Sequence, residues 1–136
     1  MTVKVSICIC TCSRPAMLGR LLGSLRDVEL GALEASAVEI VVVDNDPSGS
    51  ARAVCETAAA RLPFPIHFAE ESRRGIAFAR DRLVREALAR GADFLALLDD
   101  DDVPERDWLR RLLERQQETG AEVVAGMWRW RIGPEA

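Results

Sequence analysis

Four consecutive carboxylates, Asp99, Asp100, Asp101 and Asp102, stand between the apolar run Phe94-Leu95-Ala96-Leu97-Leu98 and the pair Val103-Pro104. Like charges in a row repel one another. A divalent cation shared with a ligand's phosphates offsets that repulsion, because hard cations choose carboxylate and phosphate oxygens. The competing reading is a solvated acidic turn that caps the next helix. Position favours the metal. A short apolar run reads as a buried strand, so the carboxylates fall at its C-terminal end, where an open α/β sheet collects its ligands.

A second group of polar residues follows the same logic. Thr11, Ser13 and Arg14 follow the run Val3 to Cys10 and adjoin Pro15, with Ser13 expected as the N-cap of a helix. The free N–H groups of a helix N-terminus favour anions. Asp44 closes the run Val38 to Val43. A carboxylate there accepts hydrogens from a base or sugar, or else caps the next helix together with Asp46 and Ser48. No Gly-x-Gly-x-x-Gly follows the first strand and no Gly-x-x-x-x-Gly-Lys-Ser/Thr occurs. A dinucleotide-binding Rossmann domain and a P-loop enzyme are both disfavoured.

Cys8, Cys10 and Cys12 alternate with Ile9 and Thr11, which in a strand points all three one way. No CxxC pair or partnering histidine accompanies them, since His67 is the only one. A structural role as small hydrophobes is favoured over a thiolate metal site, and Cys55 is read as core too.

The elements that must carry these residues are legible from periodicity. Strands are expected at Val3 to Cys10, Val38 to Val43, Ile66 to Ala69, Phe94 to Leu98 and Glu122 to Met127. Between them fall helices carrying Leu18, Leu21, Leu22, Leu25 and Val28; Ala51, Val54, Cys55, Ala58 and Leu62; Ile76, Ala79, Leu83, Val84 and Leu88; and Trp108, Leu109, Leu112 and Leu113. Strands alternating with helices predict βαβ units, a mainly parallel Rossmann-like α/β sheet and helices on both faces. Right-handed crossovers bring the loops Thr11 to Arg14, Asp44 to Gly49, Glu70 to Gly75 and Asp99 to Asp102 to one edge.

Residues 1–136 suffice for one domain. With 18 basic and 22 acidic residues the net charge is -4, which argues against a nucleic-acid partner. No apolar stretch approaches the roughly 20 residues of a membrane span. Met1-Thr2-Val3-Lys4 has no signal-peptide pattern, so a cytoplasmic location is expected, with the inner face of the membrane left open.

Several blocks together resemble a family 2 glycosyltransferase. Val5-Ser6-Ile7-Cys8-Ile9-Cys10-Thr11-Cys12-Ser13-Arg14-Pro15 is similar to that family's opening strand and turn. Ile40-Val41-Val42-Val43-Asp44-Asn45, followed by Ser48-Gly49-Ser50, resembles its second-strand block. Arg74-Gly75-Ile76-Ala77-Phe78-Ala79-Arg80-Asp81 is similar to its Gly-x-x-x-Ala-Arg-Asn segment, with Asp81 in place of Asn. Asp99 to Asp102 with Val103-Pro104 and Trp108-Leu109 resembles its Asp-x-Asp motif and the Pro-x-x-x-Trp-Leu that follows. The order and spacing hold across essentially the whole chain, and the nearest likeness is to bacterial polysaccharide-building enzymes.

The resemblance implies the GT-A fold, a nucleotide-diphosphate-sugar donor, Mg2+ or Mn2+, and an acceptor saccharide or lipid-linked saccharide. It places Thr11 and Asp44 on the base, with Arg74 as helper, and adds Ser13, Arg14 and Asp100 to the donor site. Asp99 falls near the ribose and Asp101 on the metal, Asp99 being a second metal candidate. Asp100 and Asp102 form an equally good Asp-x-Asp pair, but Asp99/Asp101 is preferred because Asp99 directly follows the strand. The family's acceptor half and catalytic base lie beyond its fifth strand, about where Gly133-Pro134-Glu135-Ala136 falls, so the chain reads as truncated before that half. No catalytic base is assigned, Glu135 being the only carboxylate in Trp128 to Ala136. Trp128 and Trp130 are expected to favour self-association. Two alternatives stand beside the transferase reading: a non-catalytic nucleotide-sugar-binding module and, ranked last, a sugar nucleotidyltransferase, whose Gly-rich first loop Thr11 to Pro15 does not supply.

Overall fold

The structure, a computed structural model, describes residues 3–129. Four strands, β1 (Val5–Thr11), β2 (Val38–Asp44), β3 (Ile66–Glu70) and β4 (Phe94–Asp99), alternate with four helices, α1 (Pro15–Ser24), α2 (Ala51–Ala59), α3 (Ile76–Ala89) and α4 (Trp108–Thr119). All the strand pairs are parallel, in the order β3-β2-β1-β4. β1 and β2 are buried along their whole length, as continuous runs of β-branched and small apolar residues require when both sheet faces are covered.

On one face Ile7, Ile9, Ile40 and Val42 pack with Leu18, Leu21 and Leu22 of α1, Cys55 of α2 and Leu109 of α4. On the other Cys8, Cys10, Val41 and Val43 meet Ala79, Leu83 and Ala87 of α3. Each fully buried Leu or Ile contributes ~1.5–3 kcal/mol, so the first face supplies most of the stability. The register aligns Thr11 with Asp44, Asp44 with Glu70, and Cys10 with Asp99. The polar ends of all four strands therefore share one edge. The chain winds outward from β1 through β2 to β3, then returns to place β4 on the other side of β1. That reversal between β1 and β4 is a topological switch point.

The structure corrects several expectations. Phe94 to Leu98 is not a fully buried strand: β4 is an edge strand of the described sheet, as β3 is on the other side, and Leu97 is 61% exposed. Glu122 to Met127 forms no strand, because no described segment runs beside it to complete a hydrogen-bonded ladder. In α3 the inward stripe is Ala79, Leu83 and Ala87, while Ile76, Val84 and Leu88 are exposed. Among the described residues α3 lies alone on that sheet face, and a narrow stripe at every fourth residue suffices. Ser13 does not cap α1. It adopts φ 55°, and that left-handed turn makes Arg14 the residue entering the helix, where its carbonyl accepts from Leu18 N–H at 3.0 Å. Leu25 belongs to a short 3-10 turn after α1, and Leu62 lies beyond α2.

Candidate functional site

At the switch point a cleft of about 380 Å³ opens between the ends of β1 and β4 and the start of α3. Cys10, Thr11, Cys12, Arg14, Asn45, Ile76, Ala79, Arg80, Asp99, Asp100 and Asp101 line it. A larger, mainly apolar groove of about 480 Å³ lies between α1 and α2. It touches none of the strand ends and gathers no carboxylate.

The four aspartates divide by direction. Asp100 is buried; its carboxylate accepts from Thr11 Oγ1 at 3.0 Å and from Arg14 Nη1 at 3.3 Å. Asp102 accepts the backbone N–H of Asp99 at 2.8 Å, while its own N–H donates to the Asp99 carbonyl at 3.0 Å, closing the turn. Burial raises the Asp102 pKa, with the Asp99 N–H acting in the opposite direction. Asp99 and Asp101 remain, with side chains 51% and 55% exposed on the cleft wall. Each stands beside an arginine, Arg80 at 3.6 Å from Asp99 and Arg14 at 4.0 Å from Asp101.

Asp44 and its loop form a second organised unit. The Asp44 carboxylate is almost wholly buried and accepts the N–H groups of Asp46 at 2.9 Å and Ala51 at 3.2 Å. Burial raises its pKa, partly countered by those two N–H donors. Asp46 accepts from Ser48 N–H, Ser48 Oγ and Ser50 Oγ, and these hydroxyls and N–H hold its carboxyl well below the usual range. Asp44 thus fastens the loop to the start of α2, and its side chain is not on the cleft wall.

Asn45 was not singled out by the sequence, yet its side chain makes three bonds. Nδ2 donates to the carbonyls of Glu71 at 2.7 Å and Arg73 at 2.8 Å, and Oδ1 accepts Gly75 N–H at 3.1 Å. Gly75 opens α3 at φ 133°, a conformation essentially confined to glycine. Asn45 therefore fixes the point from which α3 enters the sheet, and with it the Ile76 and Arg80 wall of the cleft. No local pattern announces such a role.

Other expected site residues fall elsewhere. Arg74 and Ser13 are exposed and do not line the cleft. Neighbouring Arg73 lies over the Phe78 ring at 4.6 Å and donates to Glu71 at 2.8 Å, which pulls the Glu71 pKa down to about 2. Arg80, which was not among the expected site residues, lies on the cleft wall beside Asp99. The sequence did carry a signal for it: in α3 it follows inward-facing Ala79, which turns it toward β4.

Burial pushes the thiols of Cys8 and Cys55 up to about 12 and that of Cys10 to about 11, so all three stay protonated. Cys12 departs from the expected common role: it lies past the strand end, exposed, on the cleft wall. Trp128 is exposed, and Trp130 and Glu135 lie outside the described residues. Among the described residues no three His, Cys, Asp or Glu side chains converge as metal ligands. A hard cation nonetheless fits the donors present. Asp99 and Asp101 offer carboxylate oxygens to the cleft, and Mg2+ commonly takes one or two protein carboxylates and leaves further positions for phosphate oxygens and water.

Fold and site define the class: a parallel α/β protein with a polar cleft at the carboxyl ends of its strands. Residues 6–136 match Glycosyl transferase family 2, and the chain belongs to that family. It is 37% identical over 135 residues to the succinoglycan biosynthesis protein ExoM of Rhizobium meliloti (strain 1021), covering 99% of this chain and 42% of that protein. The chain thus spans less than half the length of that relative. S. aureus TarS 1-349 in complex with UDP superposes with a TM-score of 0.72 at 19% identity, over 87% of this chain and 33% of that one. The mannosyltransferase PcManGT from Pyrobaculum calidifontis, in complex with GDP-Man and Mn2+, gives a TM-score of 0.68 at 19% identity, over 85% and 33%. The fold is that of the GT-A glycosyltransferases. Among the described residues no helix is long and apolar enough to cross a membrane.

Proposed function

We propose that this chain binds a nucleotide-diphosphate sugar with Mg2+ or Mn2+, and that the intact protein transfers the sugar to an acceptor hydroxyl in polysaccharide or glycoconjugate synthesis. One observation carries the reading. In a chain of this family, the switch-point cleft presents two half-exposed carboxylates, Asp99 and Asp101, facing two arginines, Arg14 and Arg80. Carboxylates that can hold a cation and guanidinium groups that can pair with phosphate together suit a diphosphate that arrives with a cation. The name of ExoM and the bound UDP and GDP-Man of the structural neighbours are consistent with that ligand class.

Within this reading Asp101 would hold the cation, and Asp99 would lie near the ribose as the second candidate ligand. The bound cation supplies positive charge against the diphosphate leaving group. Asp100 holds Thr11 and Arg14 in place. Arg14 faces the phosphates, while Thr11, with the loops that Asp44 and Asn45 fasten, bounds the base end, where Ser13 and Arg74 close over the donor from the rim. Acceptor and catalytic base belong to the intact protein.

Titration calorimetry with UDP, GDP and dTDP tests this, once in EDTA and once in Mn2+. The expected result is weak binding in EDTA and distinctly tighter binding of at least one nucleotide in Mn2+. Equal affinity in both would remove the cation from the reading.

A further inference from the structure

Arg80 is a cation with a loose attachment. It projects from α3 one residue after Ala79, which is buried against Cys8 and Cys10 of β1, and so faces the β4 side of the cleft. Its guanidinium lies 3.6 Å from Asp99, an ion pair longer than a hydrogen bond, and its side chain is 60% exposed. Exposed pairs of this kind hold weakly. Arg14, with a side chain 53% exposed, differs in its partner: it donates a hydrogen bond at 3.3 Å to Asp100, whose carboxylate is buried and also held by Thr11. Of the two guanidinium groups on the cleft, Arg80 has the longer ion pair and the more exposed carboxylate partner, so it is the more readily re-paired.

Its partner is also one that a cation would take. A divalent ion on Asp99 and Asp101 would repel a guanidinium beside Asp99, and a diphosphate in the same cleft offers that guanidinium a stronger, bidentate acceptor. We infer that Arg80 is a donor-binding residue that exchanges counter-ions. It pairs with Asp99 when no cation neutralises that carboxylate, and turns to the donor's diphosphate when a cation and a nucleotide bind together. The inference rests on the function proposed above and deepens it. It adds a diphosphate contact from α3 and makes cation and nucleotide binding mutually dependent through one side chain.

Exchange predicts effects of opposite sign from one substitution, which a merely structural ion pair does not. In the intact protein, Arg80→Ala is expected to tighten binding of Mn2+ alone, roughly threefold or more, because a competing positive charge leaves Asp99. At saturating Mn2+ it is expected to weaken nucleoside-diphosphate binding on the order of tenfold, as for loss of one charge-assisted hydrogen bond. Binding of the corresponding nucleoside monophosphate should weaken less. Arg80→Lys, which keeps the charge and loses the fork, should fall between wild type and Arg80→Ala in diphosphate affinity. Calorimetry on the three proteins reads all of these. Wild-type Mn2+-dependent binding with diphosphate affinity unchanged in Arg80→Ala would overturn this inference alone, as would weaker Mn2+ binding by that variant. Absence of Mn2+-dependent nucleotide binding in the wild type would overturn the proposed function and this inference with it.

Discussion

Within the run Asp99 to Asp102, neighbouring carboxylates do different work. Asp100 and Asp102 are engaged by the protein, one by Thr11 and Arg14, the other by the Asp99 N–H, while Asp99 and Asp101 keep half-exposed carboxylates on the cleft wall. Asp101→Ala should therefore abolish Mn2+-dependent nucleotide binding. Asp102→Ala should leave most of that binding and cost ~1 kcal/mol of stability, the loss of one hydrogen bond. Nucleotide calorimetry paired with urea denaturation separates the two, and a larger binding loss in Asp102→Ala would move the metal register by one residue. Glu71 offers a pH test. Its folded pKa of about 2 lies below the ordinary 4.5, with Arg73 hydrogen bonds as the cause. A depressed carboxylate stabilises the fold fully above about pH 4.5, and that contribution fades as pH falls toward 2. Glu71→Gln should flatten the decline in denaturation midpoint over that window, and an unaltered acid limb would show that the Glu71–Arg73 pair contributes nothing there.

The elements show where glycine is required and where it is only tolerated. Gly75 opens α3 at φ 133°, so Gly75→Ala should cost ~1–3 kcal/mol in backbone strain and displace the Asn45 anchor. Gly23 is inside α1, and a Cβ built there meets no atom within 4 Å. Gly23→Ala should stabilise by ~0.5–1 kcal/mol through lower unfolded-chain entropy. Thermal or urea melts of the two variants should shift in opposite directions. Helix and strand positions were legible beforehand because each has its own apolar period, 3.6 or 2, in the local chain. What escaped was breadth of burial: α3 shows solvent Ile76, Val84 and Leu88, since no second helix among the described residues covers their side.

At the scale of the molecule, scaffold and site occupy opposite ends of the sheet. Glu39 is buried toward the N-terminal ends of the strands, where its carboxylate accepts from Ser6 Oγ at 2.8 Å and lies 3.1 Å from His67 Nε2 and 3.6 Å from Lys4 Nζ. Glu39→Ala should lower stability by ~1–3 kcal/mol, because Ser6 and His67 lose a buried partner. Nucleotide affinity in Mn2+ should stay within about twofold, since wholly separate sites act additively. Equilibrium unfolding and calorimetry on one preparation check both halves; a large loss of affinity would mean that the two ends of the sheet are coupled.

The sequence by itself determined the alternation of strands and helices, the parallel α/β class, the gathering of polar loops at one edge, and the family. Each of these is written in local periodicity or in short motifs. Only the tertiary structure decided which aspartates keep an open carboxylate on the cleft, because that of Asp100 is claimed by Thr11 and Arg14, residues 89 and 86 positions away. The same holds for Arg80 reaching the cleft beside Asp99, for Asn45 anchoring α3, and for β4 lying at an edge while 122–127 pairs with nothing described. Periodicity records which face of an element is apolar. Which side chain meets which across the sheet depends on register and crossover between distant segments, and that is settled only when the strands are laid side by side.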